Sequence, residues 1–395
     1  MSLHFCFISI SVAKKSQYLA EKIVKIYTFN APIDTKVELL WPLRSINRDL
    51  AFEKLISQTH WTEVDSLSNC DVAIFHKKAF NPENLAFEHS VFDAVKEAKN
   101  YGKRLIIDAT CDSDEPLEIP GTTILRFGLY QSLKQNYEHE CPYWTNQKTK
   151  AQLESLPIHP RSPKPSVGFC GTTSAAGKYF TIAKTLPARI AQTVLSKGSL
   201  ARKFDIRLKK GMSHKLREKA IEYLSSDPRI DDRFDITNTL QDYYNPSNHN
   251  RGLLEIKFVE NLRSSDYALC VRANGNYSGR FYMALNAGRI PLVIDTDQVF
   301  PFESQIHMVR IPVNSLKNIS DLVLNHFETT SDRELIDMKK ENRAAYNNLM
   351  APDRYIPNFL ENIANSVSVR SSEVGYRVGN DSIGIAQIVD RQLGR

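Results

Sequence analysis

The chain has 395 residues, of which 42% are hydrophobic and 24% charged, with a net charge of +6. That length exceeds what one hydrophobic core usually serves, so two domains are expected, and the composition excludes a disordered or fibrous protein. No uncharged apolar run reaches about 18 residues, which excludes a recognisable membrane-spanning helix. The six cysteines at 6, 70, 111, 141, 170 and 270 show no CxxC spacing, which argues against a disulfide framework or a zinc site and for buried, reduced thiols.

The apolar start "LHFCFISISVA" lacks a basic leader and runs into "KKSQ", so it reads as a first strand rather than a signal peptide, and a cytoplasmic protein is expected. Strand-like "HFCFISIS" (4–11) and "KVELLWP" (36–42) alternate with helix-like "SQYLAEKIVKIYTF" (16–29) and "DLAFEKLISQTH" (49–60). "CDVAIFH" is a short buried strand. "PENLAFEHSVFDAVKEAKNYG" follows with apolar residues at helical spacing and Gly102 as its C-cap, and "KRLIIDAT" is the next strand. Strands alternating with helices predict a parallel sheet covered on both faces.

"LPIHPRSPKPS" carries Pro157, Pro160, Pro163 and Pro165, too many fixed dihedrals and missing donors for a helix or central strand. It reads as a linker between domains. "SVGFCGTTS" then restarts the strand-and-loop pattern, followed by a long basic helical stretch from about 175 to 225 and the acidic "SSDPRIDDRFD". From Lys178 to Lys219 twelve Lys or Arg face two acids, a local +10 that leaves −4 for the remainder. Such a stripe suits phosphates, a polyanion or an anionic membrane surface, or it is a solvated helix face. No aromatic-interleaved motif or helix-turn-helix accompanies it, so nucleic acid is not expected.

Next, "SDYALCV" (265–271), the loop "RANGNYSG", the helix "RFYMALNA" capped by Gly288, and "IPLVI" form one strand-loop-helix-strand unit. A helix start behind a glycine-rich loop offers unpaired amides and the positive dipole end, and this one is bracketed by Arg272 and Arg280, so it is a candidate anion seat. Ser278 stands where an N-cap or phosphate-binding hydroxyl belongs. The "GFCGTT" loop (168–173) closes the first strand of the same domain and is expected to face the same cleft. "DATCDSDEP" (108–116) puts Asp112, Asp114 and Glu115 past a strand end, where a carboxylate can serve as general base or simply as a solvated turn. "DTD" (295–297) has the look of a manganese site but reads as turn chemistry, and no histidines lie at metal-ligand spacing.

The run "FVENLRSSDYALCVRANGNYSGRFYMALNAGRIPLVIDTDQVFPFE" resembles the core signature of the exostosin-like glycosyltransferases in their bacterial form. The similarity extends to "CDVAIF", "GKRLIIDATCDSDEP", "TTILRFGLYQSLKQNYEHECPYW" and "PSVGFCG", covering about residues 65 to 305. The resemblance implies an α/β GT-B fold: two facing Rossmann-like doubly wound domains with a C-terminal helical segment. Boundaries are expected at 1–157 (acceptor side), 158–165 (linker), 166–330 (nucleotide sugar), 331–366 (helices) and 367–395 (tail). It further implies an inverting, metal-independent transferase that moves a sugar from a UDP- or GDP-sugar, with no cofactor, to a glycan or lipid-linked acceptor in cell-surface polysaccharide synthesis. Carried over residue by residue, the donor contacts are Arg272, Gly275, Asn276, Ser278, Arg280 and Phe281, joined by Gly171 and Thr172; Asp112 or Asp114 is the candidate base. Two letters depart from the pattern: Met283 where the family has glutamate, and Ala273 where it has glycine. The first leaves open a catalytically silent protein that binds glycan or a partner transferase. A peripheral contact with the inner membrane face would suit the basic stripe.

Overall fold

The computed structural model describes residues 23–29, 61–75, 80–81, 86–87, 89–114, 117–173, 178–237 and 250–373. The strands expected at 4–11 and 36–42, the helix expected at 49–60, Glu115 and residues 374–395 of the expected tail lie outside the described residues, whereas 367–373 continue the last helix.

Six strands form the first sheet: β1 Val24–Phe29, β2 Trp61–Glu63, β3 Val72–Phe75, β6 Leu105–Asp108, β7 Thr123–Arg126 and β8 Glu138–Glu140, in the order β2-β1-β3-β6-β7-β8. β4 Phe80–Asn81 and β5 Ala86–Phe87 make a separate antiparallel pair. Every pairing in the main sheet is parallel, and β3, β6 and β7 are buried along their whole length. Parallel strands covered on both faces read as continuous apolar runs, as "VAIF" and "LIID" do. Alternate side chains divide between two cores. Ala73, Phe75, Leu105 and Ile107 pack against Val91, Ala94 and Ala98 of α1 (His89–Asn100), while Ile26, Val72, Ile74 and Ile106 face the opposite side.

One expectation is overturned here: residues 24–29 belong to a strand, not to the end of a helix. "VKIYTF" is β-branched and aromatic, with Val24, Ile26 and Phe29 buried, and its pairing with β3 outweighs the helical spacing of the Leu, Ala and Glu residues before it. The helix predicted over 82–101 is likewise shorter, beginning at His89. Gly102 does end it, in the left-handed conformation at φ 63.

The second sheet holds β9 Ser166–Gly171, β10 Asp231–Ile236, β11 Tyr267–Cys270, β12 Ile290–Asp295 and β13 Val309–Pro312 in the order β10-β9-β11-β12-β13, again all parallel. The basic stretch is four helices rather than one: α3 Lys178–Thr185, α4 Ala188–Leu195, α5 Gly198–Ala201 and α6 Ile206–Ser225, preceded in the chain by α2 Gln147–Glu154. Pro187 and the Asp205 N-cap mark two of the breaks. The acidic segment supplies the edge strand β10, held by backbone pairing with β9 rather than by apolar side chains. α4 and α6 cover one face through Ala191, Leu195, Met212 and Leu216. The other face is covered by α7 Asn250–Arg263 and α8 Gly279–Asn286 through Val259, Leu262, Phe281 and Leu285. Two facing parallel-sheet α/β domains of this kind are the GT-B architecture.

After α9 Ile319–Thr329 and α10 Asp332–Ala345, the last helix, α11 Pro352–Glu373, leaves the second domain. Its Tyr355, Ile356, Phe359, Leu360 and Ile363 lie on the first sheet, against Ile26, Val72, Ile74 and Ile106. The chain end therefore ties the two domains together. Among the described residues no helix is long and apolar enough to cross a membrane.

Candidate functional site

The strand order locates the site before any side chain is considered. From β9 the chain moves outward to β10, then returns to β11 on the other side of β9, so the loops after β9 and β11 diverge from a topological switch point. Crevices at such points, beyond the carboxyl ends of the strands, are where doubly wound sheets bind ligands. Both sequence-predicted loops, 168–173 and 272–279, lie there, and the first reaches the residue just past the second: a Cβ placed on Gly171 would stand 3.4 Å from Nη2 of Arg280.

α8 starts at this crevice. Its N-cap Ser278 is extended (φ −131, ψ 115), but its side chain makes no capping hydrogen bond, and the first turn carries no acid. The positive end of the helix is thus left without its usual internal compensation. Arg280, in the first turn, is half-buried with its guanidinium over two aromatic rings, 4.5 Å from the Phe169 centroid and 4.5 Å from that of Phe258. Its Nη1 is buried without a hydrogen-bond partner, and no carboxylate among the described residues pairs with it. Burial lowers its pKa from the ordinary arginine value, yet a guanidinium stays charged in any protein setting.

Arg272 is placed differently. It is fully buried, and Nη1 donates to Tyr130 Oη (3.1 Å) and to Asn276 Oδ1 (3.0 Å). Asn276 is also fully engaged: Oδ1 accepts from Thr296 Oγ1 (2.8 Å), and Nδ2 donates to the carbonyls of Leu129 and Asp297 (both 3.3 Å). Both side chains join the domains internally rather than facing the crevice. Phe281 is 2% exposed and packs with its ring centroid 4.7 Å from that of Phe300, so it is core and not a donor contact. Gly275 meets the other domain closely, since a Cβ there would lie 3.1 Å from the Asp112 carbonyl oxygen. Thr172 is buried, with its carbonyl accepting from Arg217 Nη1 at 2.6 Å.

The two candidate bases separate cleanly. Asp114 is buried; Oδ1 accepts from Lys209 Nζ (2.5 Å), Oδ2 accepts from Tyr130 Oη (2.5 Å), and its carbonyl accepts from Arg202 Nε (2.8 Å). Burial works against its ionisation, but Lys209 and Arg272 outweigh it and hold the carboxyl below the usual aspartate value. An acid so engaged is a poor proton acceptor, so the expectation of Asp114 as base does not fit its surroundings. Asp112 is half-buried on the same loop, accepting from Asn274 Nδ2 (2.9 Å) and Tyr277 Oη (3.1 Å). Each of its oxygens keeps a free lone pair.

Asp295 pairs with Arg310 (2.8 Å), and Asp297 accepts from Ser132 and from the Gly198 amide (3.0 Å), so the DTD carboxylates hold loops together. Met283 packs, partly buried, on the apolar cluster around Phe281. A cavity of about 310 Å³ opens beside Leu117, Tyr137 and Arg202, and none of its lining residues belongs to the two crevice loops. Five of the six cysteines, Cys70, Cys111, Cys141, Cys170 and Cys270, are buried and form no disulfide, while Cys6 lies outside the described residues.

Sequence reasoning missed Tyr130, Lys209, Phe169 and Phe258. Lys209 was inside the basic stripe, where nothing distinguishes a buried lysine from a solvated one; Tyr130 carries no local signal at all.

No protein-family model matches the chain, and no curated protein matches it. Similar solved structures include a TarM mutant from S. aureus in complex with fondaparinux, α-GlcNAc-glycerol and UDP, at TM-score 0.31 and 11% identity, covering 80% of this chain and 53% of that one. Sucrose-phosphate synthase from Thermosynechococcus elongatus aligns at TM-score 0.28 and 11% identity over 82% and 70%. The wall teichoic acid polymerase TagF aligns at TM-score 0.24 and 11% identity over 89% of each. The chain spans about half the length of the first of these. Its own two parallel sheets and the loops meeting between them define the class: a GT-B α/β protein with Arg280 near the switch point of its second domain.

Proposed function

We propose that the protein is an inverting glycosyltransferase of the exostosin-like type, moving a sugar from a nucleotide diphosphate donor to a glycan or lipid-linked acceptor in cell-surface polysaccharide synthesis. The observation that carries this reading is Arg280, a guanidinium without an acid partner among the described residues, at an uncapped helix start beneath a glycine loop. A diphosphate supplies the missing negative charge, and the α8 amides with Arg280 stabilise the charge that grows on it as the sugar departs. Ser278 and the Gly171–Thr172 backbone complete the seat. Asp112, from the opposite domain, takes the proton of the acceptor hydroxyl, so that attack comes from the face opposite the leaving diphosphate. Neither step calls for a metal or a cofactor. Arg272 and Asn276 act by fixing the loop that presents α8.

In this reading the first domain takes the acceptor and the second the nucleotide sugar. Peripheral contact with an anionic inner-membrane face, in the cytoplasm, is supported by α3 and α4, which carry no acid and expose Ile182 (48%) and Ile190 (37%) among Lys178, Lys184 and Arg189. A second reading, a silent protein that binds glycan or a partner transferase, is favoured by Met283: its thioether packs on apolar neighbours and offers no strong acceptor for sugar or ribose hydroxyls. Assaying slow hydrolysis of UDP-, GDP- and dTDP-sugars by wild type and Arg280→Ala separates the readings. Turnover lost in the variant supports the transferase, nucleotide binding without turnover supports the silent protein, and equal turnover by both proteins removes the donor-site assignment.

A further inference from the structure

The fully buried arginines among the described residues are held by oxygens. Arg126 is paired with Glu138 at 3.0 Å, Arg289 donates to the carbonyls of Leu262, Ala287, Gly288 and Pro157, and Arg272 donates to Tyr130 and Asn276. Arg280 is held by two aromatic faces instead. From this contrast we infer that Phe169 and Phe258 are positioning residues, a clamp that keeps the Arg280 guanidinium oriented, charged and uncommitted for an incoming diphosphate. The inference rests on the donor-seat reading and adds two residues to it.

A carboxylate partner would fix the guanidinium but occupy its in-plane N–H groups and cancel its charge. Ring faces attract the cation through their quadrupoles without taking its hydrogen bonds, so Nη1 is left without an internal acceptor. The two rings come from different elements on opposite sides of the second sheet: Phe169 lies on β9 within the core shared with α4 and α6, whereas Phe258 lies on α7 and packs on the core shared with α8. Each is anchored independently of Arg280. Phe169 also lies 5.5 Å from the guanidinium of Arg217, whose Nη1 holds the Thr172 carbonyl, so the same ring borders the glycine loop that faces the anion. A guanidinium clamped this way loses little conformational freedom on binding, which favours affinity without adding a contact.

The test uses the full chain, with inorganic pyrophosphate and UDP, GDP and CDP as probes in titration calorimetry, and thermal unfolding as a parallel readout. Phe258→Leu removes the ring from a half-buried position, and Phe258→Trp restores an aromatic face; Phe169→Leu probes the other side. Phe258→Leu is expected to weaken the tightest-binding probe roughly tenfold, with Phe258→Trp within about threefold of wild type and the melting temperatures of the two variants alike. Equal affinity of wild type, Phe258→Leu and Phe169→Leu overturns the clamp and leaves the anion seat standing. A loss shared by the leucine and tryptophan variants also overturns it, since that marks a packing role. Failure of every probe to bind wild type overturns the seat and the clamp together.

Discussion

Replacing Lys209 by methionine isolates the tie between the domains. Lys209 and Asp114 are 0% and 2% exposed, 2.5 Å apart, and they link helix α6 of the second domain to the 108–114 loop of the first. Methionine keeps the length of the side chain but leaves the Asp114 carboxylate buried with Tyr130 as its remaining side-chain donor. Removing one partner of a buried ion pair costs about 3–5 kcal/mol, because the other charge stays uncompensated. At roughly 2–4 °C per kcal/mol for domains of this size, the melting temperature should fall by about 10 °C. Asp114→Asn combined with Lys209→Met removes both charges and should recover at least half of that loss, giving a double-mutant coupling of roughly 2 kcal/mol or more. Thermal and urea unfolding followed by circular dichroism measure all four proteins. A Lys209→Met variant within about 1 kcal/mol of wild type would refute the reasoning, as would a double mutant whose loss is the sum of the two single losses.

Other outcomes follow from the same structure. Asp112→Asn should lower the transfer rate by about 10²- to 10⁴-fold while leaving nucleotide affinity unchanged, read by turnover and calorimetry side by side. The His214 imidazole is pushed down to about 3 by burial and by nearby Arg217 and Lys210. Its folded pKa lies below the ordinary 6.5, so its stabilising contribution is complete above about pH 6.5 and declines by about 1.4 kcal/mol per pH unit as pH falls toward 3. His214→Leu should flatten that part of the stability profile between pH 6.5 and 5 in urea titrations; an unchanged slope argues against a neutral buried ring. Gly128→Ala places a Cβ 2.8 Å from the Asn276 amide nitrogen at φ 75 and should destabilise by about 1–3 kcal/mol, whereas Gly102→Ala, at φ 63 in open space, should cost only its backbone strain of about 1 kcal/mol.

Much of the architecture was legible because local patterns and tertiary structure agree. "VAIF", "LIID", "YALC" and "IPLVI" are buried parallel strands, Gly102 and Gly288 end their helices at φ 63 and φ 62, and the proline-rich segment lies in irregular structure between α2 and β9. Where reading failed, a long-range partner decided the outcome. Residues 24–29 became a strand through pairing with β3, Asp231–Ile236 through pairing with β9, and the course of α11 back to the first sheet depends on an apolar face more than 200 residues away in sequence. The site shows the same division. The loop and helix start at 272–280 were visible as turn chemistry before a helix, yet which arginine faces the crevice was not. Arg272 and Arg280 look equivalent in sequence; Tyr130 and Asn276 take hydrogen bonds from the first, whereas the second lies over two phenylalanine rings. Asp112 and Asp114 likewise differ only through Lys209 and Tyr130, residues with no local signature.

Calorimetric titration of UDP and GDP into wild type and Arg280→Ala decides whether Arg280 at the start of α8 seats a nucleotide diphosphate. A charge-assisted phosphate contact predicts binding of at least one nucleotide to wild type, weakened about 10- to 100-fold in the variant. Equal affinity in both proteins, or no binding of either nucleotide to wild type, would contradict it.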